Sequence, residues 1–510
     1  MSYRLSALIV LLFVFTPLVA QQSPFVIIDA EHDYNLDPHT ANYSSEAQLF
    51  TALYEGLFSY GPQFLEPVPA LVEKYKISRD RLRWTFTIRE DAKFSNGEQI
   101  TAQSIKDSWL DVLSLETNAP FASLLDCVKG VHEYRTGKCS SEKVGIAVQG
   151  KNKLVVTLNT PTEHLANILC HHSFAAVHPD LSVYSGAFVI DSYADGKLVL
   201  KKNTYYHDAD SVALEEIHLL QSDDTAENTY QYNIGLADWI ISVADINSVI
   251  DYDSILITAE FATEYLFFKA DKFPWNNAKF RNALLAAVPW EDLRSSAFVP
   301  AETFIYPLNG YDSPQGIYDT DLEEAALMIE DAMLEVGLDP SKPLEITIAI
   351  SDTEYMMNQA QILKEAWKKI GVNVNISKTP SNRYLDSIET WDADIFSYTW
   401  IGDFADPQAF LELFKSDASM NVTSWSDSEY DSLLEMAAFS EGFERLEYLA
   451  DAEDLLLSSG VILPISHPVT LNVIDTEVVG GWFANALDIH PLKYLYKNKV
   501  QFDFPNLVKN

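Results

Sequence analysis

The chain has 510 residues, 47% of them hydrophobic, which is too long for one ordinary core and too apolar for extended disorder. Two or three lobes, each burying its own core, are expected. With 74 Asp and Glu against 35 Lys and Arg, the formal net charge of −39 excludes nucleic acid and anionic membrane surfaces as partners, because phosphate binding needs a positive face; the same acidity solubilises the chain and biases it modestly toward cationic ligands.

Residues 1–20, MSYRLSALIVLLFVFTPLVA, read as an export signal, with Arg4 in a short basic start, an apolar run from Ala7 to Phe15 and the small Ala20 at a cleavage point. The run is shorter than the roughly 20 residues of a membrane span. No cysteine lies near Ala20 to carry a lipid, so a periplasmic mature chain is expected. FVIIDAEHDYNLDPH then predicts a buried strand and a turn at Asn35 to Pro38. AQLFTALYEGLF places Leu49, Leu53 and Leu57 at helical spacing, with Gly56 near the end.

RLRWTFTIREDAKFSNGEQI alternates apolar and polar residues through Trp84, Phe86 and Ile88 and predicts a hairpin turning at Asn96-Gly97. In TAQSIKDSWLDVL, Thr101 caps a helix whose stripe is Ile105, Trp109 and Val112. KLVVTLNTP is a strand, and GAFVIDSYADGKLVLKKN is a hairpin around Asp195-Gly196. Leu322 to Gly337 is helical, LEITIAI is a strand buried on both faces, and QILKEAWKKIGVNVNISKT repeats helix then strand. That alternation makes this part an α/β lobe.

Of the three cysteines, Cys127, Cys139 and Cys170, at least one is unpaired in an oxidising compartment; Cys127 and Cys139 are spaced to close a short loop if they bond. There is no CxxC, GxSxG, HExxH or phosphate-cradling glycine loop. The adjacent His171 and His172 point in different directions on a helix or strand, cannot easily share one metal, and read as core or surface histidines. Carboxylate pairs such as Asp403 and Asp406 are abundant in so acidic a chain and are weak evidence for acid and base catalysis. No cofactor is expected.

An ordered series of segments carries a resemblance: NLDPH with LYEGLF, WTFTIREDAKFSNGEQITAQSIKDSW, VGIAVQGKNKLVVTLNTP, SGAFVIDSYADGKLVLKKNTYY, FPWNNAKFRNALLAAV, WIGDFADPQAFLELF, SMNVTSWSDSEYDSLL and ILPIS. In this order they resemble the periplasmic solute-binding proteins of oligopeptide and dipeptide ABC importers, over nearly the whole mature chain. The resemblance implies an α/β, periplasmic-binding-protein-like bilobed clamp with an extra lobe, its mixed sheets flanked by helices. It divides the chain into a first, discontinuous lobe (21–60, 179–259 and 467–510), an extra lobe (61–178) and a third lobe (260–466), with ligand enclosed between the first and the third.

It also implies a site. Asp403 matches the aspartate that pairs with a ligand α-ammonium group, with capping of the helix near Pro407 as its structural alternative. The backbones of His32, Asp33 and Tyr34 and of Thr399, Trp400 and Ile401, with Gly402 next in line, match segments that hold a peptide as an added strand. Tyr398, Trp400, Phe404 and Phe121 are pocket aromatics or core. Ser185, Gly186 and Ala187 match a turn bordering the cleft. Ser397 stands where an oligopeptide binder has an arginine six residues before the aspartate, and Ser381 replaces a pocket tryptophan. Ile401 and Ala262 replace a disulfide. The resemblance thus implies a monomeric, non-enzymatic binder that takes a peptide and delivers it to ABC permease subunits in the inner membrane. The alternatives are a dipeptide, glycan, amine or metal-chelate binder, a sensor or adhesin on the same fold, and a secreted carboxylate-dependent hydrolase.

Overall fold

The computed structural model describes residues 23–498, apart from 42–43, 309, 381–382, 385–387, 389, 403, 417 and 419. The expected export signal, Asp403 and Ser381 lie outside the described residues. Among those described, no helix is long and apolar enough to cross a membrane.

Three sheets organise the chain. The largest is seven-stranded and starts from Phe25–Asp29, which pairs in parallel with Glu216–Gln221 on one side and Trp239–Ile241 on the other. Lys197–Lys202 and then Phe188–Ala194 extend one flank, and Val469–Ile474 and Ile255–Ala259 the other. The hairpin expected at Asp195-Gly196 is present, with both residues at positive φ, 53° and 70°, the backbone that matches strand twist. Phe25, Ile27, Leu198, Leu200, Ile217 and Leu219 bury one core, against which the helix Ser44–Leu53 lays Leu49, Phe50 and Leu53.

A four-stranded antiparallel sheet runs Val72–Ile77, Arg83–Ile88, Lys153–Thr157, Ile146–Gln149. Here the sequence reading needs correction: across Asn96-Gly97 only the single bridge Lys93–Gln99 forms, and Arg83–Ile88 pairs instead with Val72–Ile77 and Lys153–Thr157. The period of two marked the strand, but it carries no information about the partner. The helix Ala102–Val112 does pack on this sheet, with Thr101 and Ser104 capping each other reciprocally and Ile105, Trp109 and Val112 buried.

The third sheet is six-stranded, in the order Val299–Pro300, Ile462–His467, Ala262–Phe268, Ile395–Ile401, Leu344–Ser351, Val372–Thr379. Its parallel edge is the predicted helix and strand repeat, with the helix Glu354–Lys368 crossing between the last two strands. Two short connections, Ala259 to Ala262 and His467 to Val469, join this sheet to the seven-stranded one. They run side by side, and Glu260 N–H donates to the Pro468 carbonyl at 2.8 Å.

All three cysteines are free thiols. The loop that Cys127 and Cys139 were spaced to close is held otherwise, by Arg135 donating to both carboxylate oxygens of Asp126 at 2.7 and 2.5 Å, while the Cys139 thiol donates to the Gly130 carbonyl.

Candidate functional site

A cavity of about 420 Å³ lies where distant parts of the chain converge: the end of the helix Ser44–Leu53 and the segment after it, residues 120–124, residues 170–172, the strand end Tyr398–Gly402, and residues 487–493. The turn at Gly186 and Ala187 completes the wall. Gly186 is required there, because a Cβ would sit 2.4 Å from the Ala52 carbonyl oxygen.

The strand Ile395–Ile401 defines one side. Along its whole length it pairs with Ala262–Phe268, but its other neighbour, Leu344–Ser351, pairs only at Ile395 and Phe396. The two strands part at Ser397, and the Tyr384 hydroxyl fills the fork: its one proton is shared between the carbonyls of Ala349 and Ser397, both at 3.0 Å, and it accepts from Ser397 N–H at 2.8 Å. Beyond the fork no strand among the described residues covers the outer edge of Tyr398–Ile401. Five consecutive residues, Tyr398 to Gly402, line the cavity. Alternate side chains of a strand face opposite ways, so consecutive lining residues mean that the cavity meets the strand edge-on. Trp400 is held by its indole N–H donating to the Ala409 carbonyl at 2.8 Å, and Tyr398 packs edge-on against Tyr265. Gly402 has no room for a side chain, since its Cβ would meet the Phe261 ring at 2.4 Å.

The cavity floor is a buried polar cluster. The Glu55 carboxylate accepts from the Tyr206 hydroxyl and from Lys493 Nζ at 2.9 Å, with His207 Nε2 at 2.6 Å. Burial by itself would raise this carboxyl, but the Lys493 ammonium and His207 hold it down at about 2. Also lining the cavity, Phe121 packs on His171 with ring centroids 4.4 Å apart, and His171 packs on His172 at 4.2 Å. Burial pushes His171 down to about 3 and His172 well below its ordinary value.

Of the residues singled out from the sequence, Phe121, Gly186, Ala187, Tyr398, Thr399, Trp400, Ile401 and Gly402 come together on this wall. Others do not line it. Phe404 is buried and stacks on His164 at 5.1 Å with the rings within 5° of parallel. Ser397 is buried at the fork, and Ser185 accepts from Glu55 N–H at 3.0 Å. The segment His32 to Tyr34 belongs to no strand; the His32 carbonyl accepts from the Gln221 amide, and the His32 and Tyr34 rings pack together at 4.2 Å. Asp33 is exposed.

The histidine pair is buried or half-buried, in keeping with core histidines, but in a local conformation that the sequence reading did not consider. His171 and His172 lie in no regular helix or strand but at the entry of a short 3₁₀ turn, His172–Phe174, so the rule that neighbours diverge does not apply, and both rings reach the cavity. Sequence reasoning also passed over Glu55 and Lys493. Their signal was a lone charge inside an apolar stretch, LYEGLF and HPLKYLY, where only a paired ion is tolerated. Asp406 is committed elsewhere: Arg445 grips both its oxygens at 2.8 and 2.7 Å, which overrides burial and holds its carboxyl below the usual range.

Comparison with known proteins places this architecture. Residues 66–421 match the profile of the bacterial extracellular solute-binding proteins, family 5 (middle region). The chain is 26% identical over 479 residues to the oligopeptide-binding protein OppA of Bacillus subtilis, covering 88% of each. It is 24% identical over 491 residues to the dipeptide-binding protein DppE of the same organism, covering 90% of this chain and 88% of that one. The murein tripeptide binding protein MppA of Escherichia coli superposes with a TM-score of 0.76 at 24% identity, covering 94% of this chain and 99% of that structure, which establishes a shared fold. With its three larger sheets and a profile match across most of its length, the chain belongs to the bacterial extracellular solute-binding proteins, family 5.

Proposed function

We propose that the chain captures short peptides outside the cytoplasm and delivers them to the membrane permease of an ATP-driven importer, with no covalent chemistry. The observation that carries this reading is the open strand edge. A peptide laid along Tyr398–Ile401 pairs its main chain with the strand regardless of its sequence, and side chains project into the aromatic walls. Relatives named for oligopeptide, dipeptide and murein tripeptide binding support the ligand class.

In this reading the seven-stranded sheet, with residues 21–60, 179–259 and 467–510, is one jaw, and residues 260–466 form the other. Residues 61–178 form the extra lobe. The three larger sheets support the division, since each draws its strands from one of these sets but for His467 at the end of Ile462–His467, whereas the small pairing of Phe58–Tyr60 with Pro67–Pro69 bridges the first jaw and the extra lobe. Asp403, one residue beyond Gly402, takes the ligand ammonium in the dehydrated cleft, and the protein acts as a monomer in the periplasm.

Native mass spectrometry of protein purified without denaturation tests the ligand class: peptide adducts are expected, and exclusively non-peptide adducts sink the reading. The Asp403 assignment predicts that Asp403→Asn weakens free-amine peptides by about 10- to 100-fold, the value of a charge-assisted hydrogen bond, and N-acetylated peptides far less. Equal loss for both, measured calorimetrically, removes Asp403 from that role.

A further inference from the structure

The wall carrying His171 and His172 is built to meet a particular kind of ligand group. Ser173 N–H donates to His171 Nδ1 at 3.3 Å. A ring nitrogen that accepts carries no proton, so the neutral imidazole keeps its proton on Nε2. Burial keeps the ring neutral. No described protein group accepts from that Nε2–H, and the residue lines the cavity. Behind this surface, the hydroxyl of Tyr54 and Nε2 of His172, two further lining residues, are buried without a hydrogen-bond partner, so the His171 N–H is the polar group turned to a ligand here. Such orphaned atoms cost about 1–3 kcal/mol each when nothing meets them.

The charges on the described wall tell the same story. They are Glu55 and Lys493, which neutralise each other at 2.9 Å. With Asp403 taken up by the ligand ammonium, a charged side chain entering beside His171 finds no free counter-ion among the described lining residues, and burying an unpaired ion is costly. An uncharged oxygen, by contrast, accepts from His171 while the rest of the group packs on Phe121 and Phe50.

Building on the peptide reading, we infer that this wall is a subsite for an uncharged ligand side chain carrying a hydrogen-bond acceptor, an amide or a hydroxyl, and that it turns away charged side chains. The main chain is bound indifferently at the strand edge; selectivity resides here. A site built to hydrogen-bond a ligand discriminates because its polar atoms stay unpaired with the wrong one.

The test is competition among an equimolar library of tetrapeptides with free amino termini, varied after the first residue among Gln, Tyr, Leu, Glu and Lys, with the retained peptides read by native mass spectrometry. At one position, Gln and Tyr are expected about tenfold over Glu and Lys, in line with one hydrogen bond gained and no unpaired ion buried. His171→Phe keeps a ring against Phe121 and deletes the N–H; it lowers Gln relative to Leu there by about tenfold, and His171→Gln, which restores an N–H, recovers part of it. If Glu and Lys are retained as well as Gln at every position, or if His171→Phe leaves the Gln-to-Leu ratio unchanged, the subsite is overturned while peptide capture stands. Retention of no peptide overturns both.

Discussion

His171 and Glu55, which line the same cavity, respond to acid in different pH windows. His171 holds a folded-state value of about 3, below its ordinary 6.5, so the unfolded chain takes up the proton first and stability falls as pH drops below 6.5. Glu55, at about 2 against an ordinary 4.5, contributes stability that is complete above 4.5 and is lost as pH falls toward 2, in total about 3 kcal/mol. The histidine therefore acts first. Urea titrations between pH 7 and 5 should show stability falling with pH, His171 alone contributing up to about 1.4 kcal/mol per pH unit below 6.5. His171→Phe should flatten that slope by this amount, while His172, His164, His39 and His467, all lowered by burial, keep the remainder. An unchanged slope in the variant removes His171 from the response.

At the level of elements, the decisive feature is a fork. Leu344–Ser351 follows Ile395–Ile401 for only two residue pairs, and the Tyr384 hydroxyl satisfies the backbone groups left at the point of separation. Without it, Ser397 N–H and two carbonyls are left unpaired in a buried place. Tyr384→Phe, which alters little besides the hydroxyl, should cost about 1–3 kcal/mol in the urea midpoint. It should also weaken peptide binding, since Tyr398–Ile401 loses its anchor on one side. A variant as stable as the parent, with full affinity, would show that the fork needs no plug.

Over the whole molecule, the seven-stranded and six-stranded sheets are joined by two adjacent crossings, tied by the Glu260–Pro468 hydrogen bond. A pair of short crossings permits rotation about the line between them and resists shear, the geometry of hinge closure. Saturating peptide should therefore lower the radius of gyration in small-angle X-ray scattering; an unchanged profile at saturation rules out closure. The part of the chain that carries the four-stranded sheet contacts the helices after the six-stranded sheet's strand Ile395–Ile401 through Arg445, which bonds Asp406 and lies 3.3 Å from His164 Nδ1, and through Arg81, which pairs with Glu441 at 3.0 Å.

Much of this was legible in the chain itself, because local signals are local physics. Thr101 with Ser104, the Asp195-Gly196 turn, the buried run LEITIAI and the helix and strand repeat after it each specify their element within a few residues, and the ordered motifs specified the family. The sequence also marked Tyr398 to Gly402 as a wall. What it did not determine was which distant segments meet. Arg83–Ile88 pairs across 70 residues with Lys153–Thr157, not across Asn96-Gly97, because alternation is equally satisfied by either partner. Glu55 and Lys493 are 438 residues apart, and His171 gains its role only because the chain, neither helix nor strand there, turns two adjacent rings toward one cavity. Tertiary packing alone decides such pairings, since desolvation and hydrogen bonding act on what is near in space, whatever its distance along the chain.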